Sequence, residues 1–162
     1  MYEKGNYVEQ NYTEALKWYR MAAEQEDAIA QNNLGYMYEN GFGVEQNYVE
    51  AAKWYGLSAG QGNAASAPAQ NNLGVLYCKG TGVTQNYKEA AKWFLKAADS
   101  NYTLAHVNLG SLYADGLGVE QNYEKSITLF REAAAQTDLD WQYCLFFFSS
   151  RRLHTRCSRD WS

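Results

Sequence analysis

Apolar side chains recur at helical spacing along most of this chain. One stretch carries Ala30, Leu34 and Met37, and a second carries Ala51 and Tyr55. Because positions separated by three or four residues share one face of an α-helix, each stretch predicts an amphipathic helix. We therefore expect two helices, each with its apolar face buried.

Glycine and small polar residues mark the ends of these helices. Gly41 follows the first stretch and suits the left-handed backbone conformation found just past a helix end. Asn47 precedes the second stretch, and Glu50 completes a capping box, in which each side chain binds the other residue's backbone N–H. The box recurs as Asn11 with Glu14 and Asn86 with Glu89, whereas Asn122 is followed by Lys125 and loses the reciprocal half.

The two-helix pattern repeats along the sequence. A Leu-Gly pair marks each unit, so the repeat has 36 residues and is lengthened once to 39. The pairs are Leu34-Gly35, Leu73-Gly74 and Leu109-Gly110. Glycine inside a helix costs about 1 kcal/mol relative to alanine. Its recurrence at one position predicts close approach of a neighbouring helix, with no room for a side chain.

A unit of this size cannot bury its own apolar face, whereas stacked copies can. The sequence therefore predicts an all-α protein, an α/α superhelical solenoid of helix-turn-helix repeats. The three extra residues lie in Ala64–Pro68, which we expect to connect two helices. The predicted units are a partial repeat at 1–27, full repeats at about 28–66, 67–102 and 103–137, and the start of a further repeat at 138–145. The chain is thus expected to open halfway through a repeat.

The shared pattern A-x-x-x-L-G-x-x-Y-x-x-G-x-G-V-x-x-N-Y-x-x-A-x-x-W-[YF]-x-x-[AS]-A resembles the Sel-1-like repeat, a relative of the tetratricopeptide repeat. The resemblance covers nearly all of residues 1–145, although the last full unit has Ser126 for alanine and Leu129 for tryptophan. It implies a non-catalytic adaptor or scaffold that holds a protein or peptide on the concave face of its solenoid.

The same resemblance implies that partners are contacted from the exposed side of the first helix of each unit. These positions are Asn32, Tyr36 and Glu39 in the first full unit, Asn71, Val75, Cys78 and Lys79 in the second, and Val107, Ser111, Ala114 and Asp115 in the third. They vary between units while the Leu-Gly-Tyr frame stays fixed, as expected of a surface free to contact a partner. The alternative is that they are merely solvated.

The alternative function is a β-lactamase-like hydrolase, an activity linked to cysteine-rich relatives with cysteine pairs in each repeat. Only Cys78 lies in a complete repeat here, and no serine, histidine and carboxylate set indicates a nucleophile. We therefore expect no catalytic residues and no cofactor or metal.

Three further motifs have structural interpretations. The stretch Gly41–Val44 lacks the third glycine and the lysine of a phosphate loop, so it predicts a turn. The tryptophans Trp18, Trp54 and Trp93 predict packing within the core and between repeats, and not a stacking platform. His106 takes the polar position of Gln31 and Gln70, where we expect a surface residue.

Charge distribution argues against a nucleic-acid partner. The whole chain carries 14 basic and 18 acidic side chains. Residues 146–162 contain four of the basic side chains and one of the acidic ones. Residues 1–145 therefore have a net charge of −7, whereas binding to a phosphate backbone needs clustered Lys and Arg. No apolar run approaches the roughly 20 residues of a membrane-spanning helix. The sequence assigns no compartment, and we expect self-association through exposed repeat ends.

The last stretch, FFFSSRRLHTRCSRDWS at 146–162, departs from the repeat. Residues 149–162 closely resemble the translation of sequencing-adapter DNA. Leu153 is the one departure from that translation before the variable barcode bases of the adapter. We interpret 146–162 as an artefactual tail and exclude it from functional reasoning. His154 and Cys157 supply two ligands, whereas a zinc site needs three or four.

Overall fold

The computed structural model describes residues 11–136, which form seven α-helices and one short 3₁₀ turn, with no strand in that range. The helices are α1 (Tyr12–Glu24), α2 (Ala28–Asn40), α3 (Tyr48–Gly60), α4 (Ala67–Lys79), α5 (Tyr87–Asp99), α6 (Thr103–Asp115) and α7 (Tyr123–Gln136), and the 3₁₀ turn is Ala64–Ser66. The prediction of an all-α solenoid is confirmed. None of these helices is long and apolar enough to cross a membrane.

Each helix packs mainly against its neighbours in sequence. We call α2, α4 and α6 the A helices and α1, α3, α5 and α7 the B helices. The closest pairs are α2 with α3, α4 with α5 and α6 with α7, so one A helix and the following B helix form a unit. Contacts between α1 and α2, α3 and α4, and α5 and α6 then join successive units. Such nearest-neighbour packing is typical of a solenoid.

The glycine inside each A helix lies against an aromatic ring of its partner B helix. A Cβ atom on Gly35 would stand 2.7 Å from Cδ1 of Tyr55, and one on Gly74 would stand 2.6 Å from Cε1 of Phe94. The rings are fully buried. The predicted close approach is confirmed, and its cause is a ring that occupies the space of the missing side chain.

The loop from A helix to B helix is built the same way in each unit. The A helix ends at a left-handed glycine, such as Gly80 with φ +67°. A second glycine, Gly82, packs on the start of the preceding B helix, where a Cβ would meet the carbonyl oxygen of Tyr48. Gln85 closes the loop because its Nε2 donates to the carbonyl of Cys78 at 2.7 Å and to the hydroxyl of Tyr87 at 3.1 Å.

The asparagine caps are confirmed, but the reciprocal half of the capping box was wrong. Oδ1 of Asn47 accepts from the backbone N–H of Glu50 at 3.1 Å. The N–H of Asn47 donates to the carbonyl of Tyr38 at 2.8 Å instead of to Glu50. The glutamate side chain forms an ion pair with Lys53 at 3.5 Å. Asn122 keeps the same cap, with its Oδ1 accepting from the N–H of Lys125 at 2.9 Å, so lysine there loses no hydrogen bond.

The connection with three extra residues forms the 3₁₀ turn at Ala64–Ser66. Helix α4 already begins at Ala67, so Ala67 and Pro68 belong to the helix and not to the connection. Proline is compatible with the first turn because the N–H groups there have no intrahelical acceptor.

Tryptophans of the B helices link the units. Trp54 packs against the cluster formed by Ala23, Ala30 and Leu34. Trp93, on α5, packs against the cluster formed by the preceding helices α3 and α4. Both are half-buried, as expected for inter-repeat packing. Trp18 is 62% exposed, so the packing interpretation was wrong for this residue.

Candidate protein-binding surface

One strip of each A helix carries exposed or half-buried side chains, except at Val75, which is buried. We define the A-helix face by these strips, which run through positions i, i+4, i+7 and i+11 of each A helix. Its residues are Ile29, Asn33, Tyr36 and Asn40 on α2, Pro68, Asn72, Val75 and Lys79 on α4, and Leu104, Asn108, Ser111 and Asp115 on α6. Equivalent residues of the three helices form rows across the units.

Several residues predicted to contact a partner have accessible side chains. Tyr36 is 40% exposed, and Lys79 at the end of α4 is exposed. Asn32, Val107 and Ser111 are half-buried. These five residues remain candidates for partner binding.

Five other predicted contact residues are buried, so their expected exposure was wrong. Glu39 is 7% exposed because its Oε2 accepts a hydrogen bond from the hydroxyl of Tyr55 at 2.6 Å. Asn71 is 4% exposed, and its Oδ1 accepts from Nδ2 of Asn108 in the next unit. Val75 is buried in the core cluster that joins α4, α5 and α6. Cys78 and Ala114, predicted beside them, are buried as well, whereas Asp115 is exposed.

The asparagines at the centre of the strip were not among the predicted contact residues. Nδ2 of Asn72 donates to Oδ1 of Asn32 at 3.1 Å, and Nδ2 of Asn108 donates to Oδ1 of Asn71 at 2.8 Å. We call these four residues the amide ladder, since each bond joins one unit to the next. The available signal was an asparagine directly before every Leu-Gly pair, at the half-buried positions Asn33, Asn72 and Asn108.

The A-helix face is nearly uncharged. The three A helices contain only Glu39, Lys79 and Asp115 as charged residues, and Glu39 is buried. The other charged residues between 11 and 136 lie on the B helices or in loops. The surface is thus neutral and polar at its centre, with one basic and one acidic side chain at helix ends.

An aromatic cluster lies at the end of the A-helix face that the first full unit forms. The rings of Tyr12 and Phe42 stack with centroids 4.7 Å apart and an interplanar angle of 11°. The ring of Tyr36 lies 5.8 Å from Phe42 in a tilted arrangement. Thr81 and Leu117 replace Phe42 in the next loops, so the cluster distinguishes this end of the surface.

The expectation of a surface histidine at position 106 was wrong. His106 is 5% exposed, like the equivalent Gln31 and Gln70, because this position faces inward at the start of the A helix. Its Nδ1 lies 3.1 Å from the carbonyl oxygen of Tyr102, and its Nε2 lies 3.7 Å from Oε2 of Glu132.

Between residues 11 and 136, no group of three or more His, Cys, Asp or Glu side chains is arranged to hold a metal ion. The thiol of Cys78 is buried. The tail at 146–162, with His154 and Cys157, lies outside the described residues.

Comparison with known sequences identifies the repeat. The Sel1 repeat profile matches residues 1–27, 28–63, 67–102 and 103–138. Among curated proteins, none matches the chain.

Solved structures share the architecture. A protective antigen of uropathogenic Escherichia coli strains that displays an SLR fold is 39% identical, with a TM-score of 0.74, over 82% of this chain and 28% of its own. A Sel1 repeat protein from Oxalobacter formigenes is 40% identical, with a TM-score of 0.73, over 80% of this chain and 50% of its own. The chain therefore spans half or less of either protein. Cysteine rich protein B of Helicobacter pylori shares the fold at 21% identity and a TM-score of 0.62, over 86% of this chain and 98% of its own.

Proposed function

The chain belongs to the Sel1 repeat family, and on that premise we propose that it is a non-catalytic scaffold whose A-helix face binds a peptide or protein. The observation that carries the proposal is the strip of exposed and half-buried side chains on the A helices, which is interrupted at Val75. Along this strip the side chains change from unit to unit, as at Asn40, Lys79 and Asp115, while the Leu-Gly frame beneath them is constant. Such variation on a constant frame gives each unit its own contact surface.

The neutral character of this face supports a polypeptide partner over a nucleic acid. Binding to a phosphate backbone depends on clustered cations, and Lys79 is the only lysine or arginine on the described A helices. Peptide groups and uncharged side chains, by contrast, match a lining of asparagine and tyrosine.

The β-lactamase-like alternative has little support in the described residues. Cys78 is 3% exposed and packs in the core with Phe94 and Leu112, so its thiol does not line an accessible site. The likeness to the Helicobacter pylori cysteine rich protein is at the level of the fold. Hydrolysis of a chromogenic β-lactam by the purified chain, abolished by Cys78→Ala, would restore the enzyme interpretation.

A display library of random peptides tests the binding proposal directly. Peptides selected on the full chain are expected to lose affinity for Tyr36→Ala and for Lys79→Glu, with unchanged helicity by circular dichroism. Leu95→Ala and Lys88→Glu are matched controls, because both alter exposed side chains of α5 and leave the A-helix face intact. If the controls weaken binding and the A-helix variants do not, the site lies elsewhere.

The proposal includes self-association of the chain through the face that carries Trp18. Trp54 and Trp93 occupy the equivalent position and pack against the preceding unit, whereas Trp18 is 62% exposed. A second copy would cover this ring with its last repeat. Light scattering is expected to show concentration-dependent assembly that Trp18→Glu abolishes and Val49→Glu, at another exposed apolar residue, preserves. A monodisperse wild-type monomer at all concentrations would contradict this part of the proposal.

A further inference from the structure

The amide ladder uses only part of the hydrogen-bonding capacity of its side chains. Each carboxamide has two N–H donors and an oxygen that can accept twice. Asn72 and Asn108 each donate one bond to the preceding unit, and neither oxygen accepts a hydrogen bond within the described part of the chain. Neither oxygen is sealed from solvent. The second and third full units therefore each present an unused acceptor at the centre of the A-helix face, whereas Oδ1 of Asn33 in the first accepts from Nδ2 of Asn32 at 3.5 Å.

Asn71 supplies an unused donor in the same place. The residue is 4% exposed, its Oδ1 accepts from Asn108 at 2.8 Å, and its Nδ2 makes no hydrogen bond to any described residue. Nδ2 is not sealed from solvent. A fixed donor beside fixed acceptors is the pattern that a peptide main chain complements, because each peptide unit offers one N–H and one C=O.

Rows of side chains flank the ladder. Ile29, Pro68 and Leu104 lie one helical turn before the central asparagines, and Ile29 and Leu104 are 58% and 50% exposed. Tyr36 and Ser111 lie one turn after them, where the equivalent Val75 is buried. A chain laid across the units would thus meet polar groups along its centre, an apolar row on one side, and Tyr36 and Ser111 on the other.

We propose that the amide ladder binds the main chain of an extended, uncharged peptide segment, a specificity that rests on the peptide-binding function proposed above. An extended segment is required because a helical peptide already satisfies its own main-chain groups. An uncharged segment is favoured because burial of a charge against this neutral lining has no compensating partner. The ladder fixes the course of the main chain, and the flanking rows select its side chains.

Backbone N-methylation tests the role of the ladder without altering the protein. Two display libraries of nonapeptides are panned on the full chain, one with and one without Asp, Glu, Lys and Arg. The tightest uncharged binder is then synthesised with single N-methyl groups at successive residues. Methylation at alternating positions is expected to weaken binding about tenfold, since each methyl removes one main-chain donor.

The protein side is tested with the pair Asn72→Ala and Asn108→Ala. The double variant is expected to bind all selected peptides about tenfold more weakly, without a change in their ranking, because main-chain contacts do not depend on sequence. Tyr36→Ala is expected to change the ranking instead. Asn63→Ala in the 61–66 connection is the matched control and should leave affinity unchanged, and circular dichroism verifies the fold of each variant.

The outcomes separate the two proposals. If peptides bind but methylation and the double variant have no effect, the ladder inference is wrong and the binding function stands. Preferential selection of charged peptides would likewise contradict the ladder inference and leave the binding function intact. If no peptide binds, and a neutral glycan array or nothing at all is captured, both proposals fail.

Discussion

The hydroxyl of Tyr55 donates a hydrogen bond to Oε2 of Glu39 at 2.6 Å inside the first full unit. Tyr55 is fully buried and Glu39 is 7% exposed. The next two units have Phe94 with Cys78 and Phe130 with Ala114 at the same positions. The acidic residue thus occurs in the unit whose ring carries a hydroxyl, which shows that Glu39 satisfies a buried polar atom.

Loss of either partner of this pair should destabilise the unit. Tyr55→Phe removes a donor from a buried carboxylate, which costs about 1–3 kcal/mol of unfolding free energy. Glu39→Ala removes the acceptor of a buried hydroxyl and costs a similar amount. Urea unfolding followed by circular dichroism measures both changes.

The double variant Tyr55→Phe/Glu39→Ala reproduces the arrangement of Phe130 and Ala114. We expect it to be more stable than the sum of the single changes implies, by about 1 kcal/mol or more. Strict additivity of the two free-energy changes would show that the hydrogen bond contributes nothing specific.

Ser126 offers a stabilising substitution. Its side chain is fully buried, and Oγ has no hydrogen-bond partner among residues 11–136. The equivalent residues Ala51 and Ala90 are buried alanines. Ser126→Ala should therefore raise the unfolding free energy by about 1 kcal/mol, because it removes an unsatisfied hydroxyl. Little packing is lost, since alanine already fills the equivalent positions in the other units.

The reverse substitution is the matched control. Ala90→Ser places a hydroxyl in the same environment of the preceding unit and should destabilise the protein by a similar amount. Thermal unfolding curves of the two variants should shift in opposite directions. A lower midpoint for Ser126→Ala would show that the hydroxyl stabilises the folded state and would contradict this prediction.

The third prediction concerns the glutamines that close the loops between A and B helices. Gln85→Ala removes the bonds to the carbonyl of Cys78 and the hydroxyl of Tyr87, and should cost about 1–2 kcal/mol locally. Amide hydrogen exchange should accelerate in the loop at 80–86 more than in α4 and α5. Thr84→Ala changes an exposed neighbour in the same loop and should leave exchange unchanged. Uniform acceleration across both helices would contradict a local role.

Local features of this fold were predictable because each is written in a short stretch of sequence. The spacing of apolar residues predicted the helices, and Asn47 and Gly41 predicted where they begin and end. The recurrence of glycine at the position of Gly35 predicted the close contact with the neighbouring helix. The burial of Glu39 had a signal that the exposure argument overlooked. It lies four residues after Gly35, hence on the face that packs against Tyr55.

The amide ladder was not predictable by the same means. Asn72 and Asn32 are 40 residues apart, and their contact depends on the rotation of one unit relative to the next. Sequence periodicity places residues on a helix face but does not determine that rotation. The same limit explains why Asn71 was assigned to the open surface although it is 4% exposed and hydrogen-bonded to the next unit.

Glycines of the helices provide a graded test of close packing. A Cβ on Gly74 would lie 2.6 Å from the ring of Phe94, one on Gly110 would lie 3.2 Å from the ring of Phe130, and one on Gly56 would meet nothing within 4 Å. Alanine favours a helix interior over glycine by about 1 kcal/mol, whereas overpacking costs about 1–3 kcal/mol.

The three alanine substitutions should therefore rank in stability. Gly56→Ala should stabilise the protein, Gly110→Ala should have a small effect, and Gly74→Ala should destabilise it, because a fully buried ring has no space to move into. Urea unfolding of the three variants measures the order. If Gly74→Ala were as stabilising as Gly56→Ala, the ring of Phe94 would have to shift freely, and the close approach would not explain the glycine at this position.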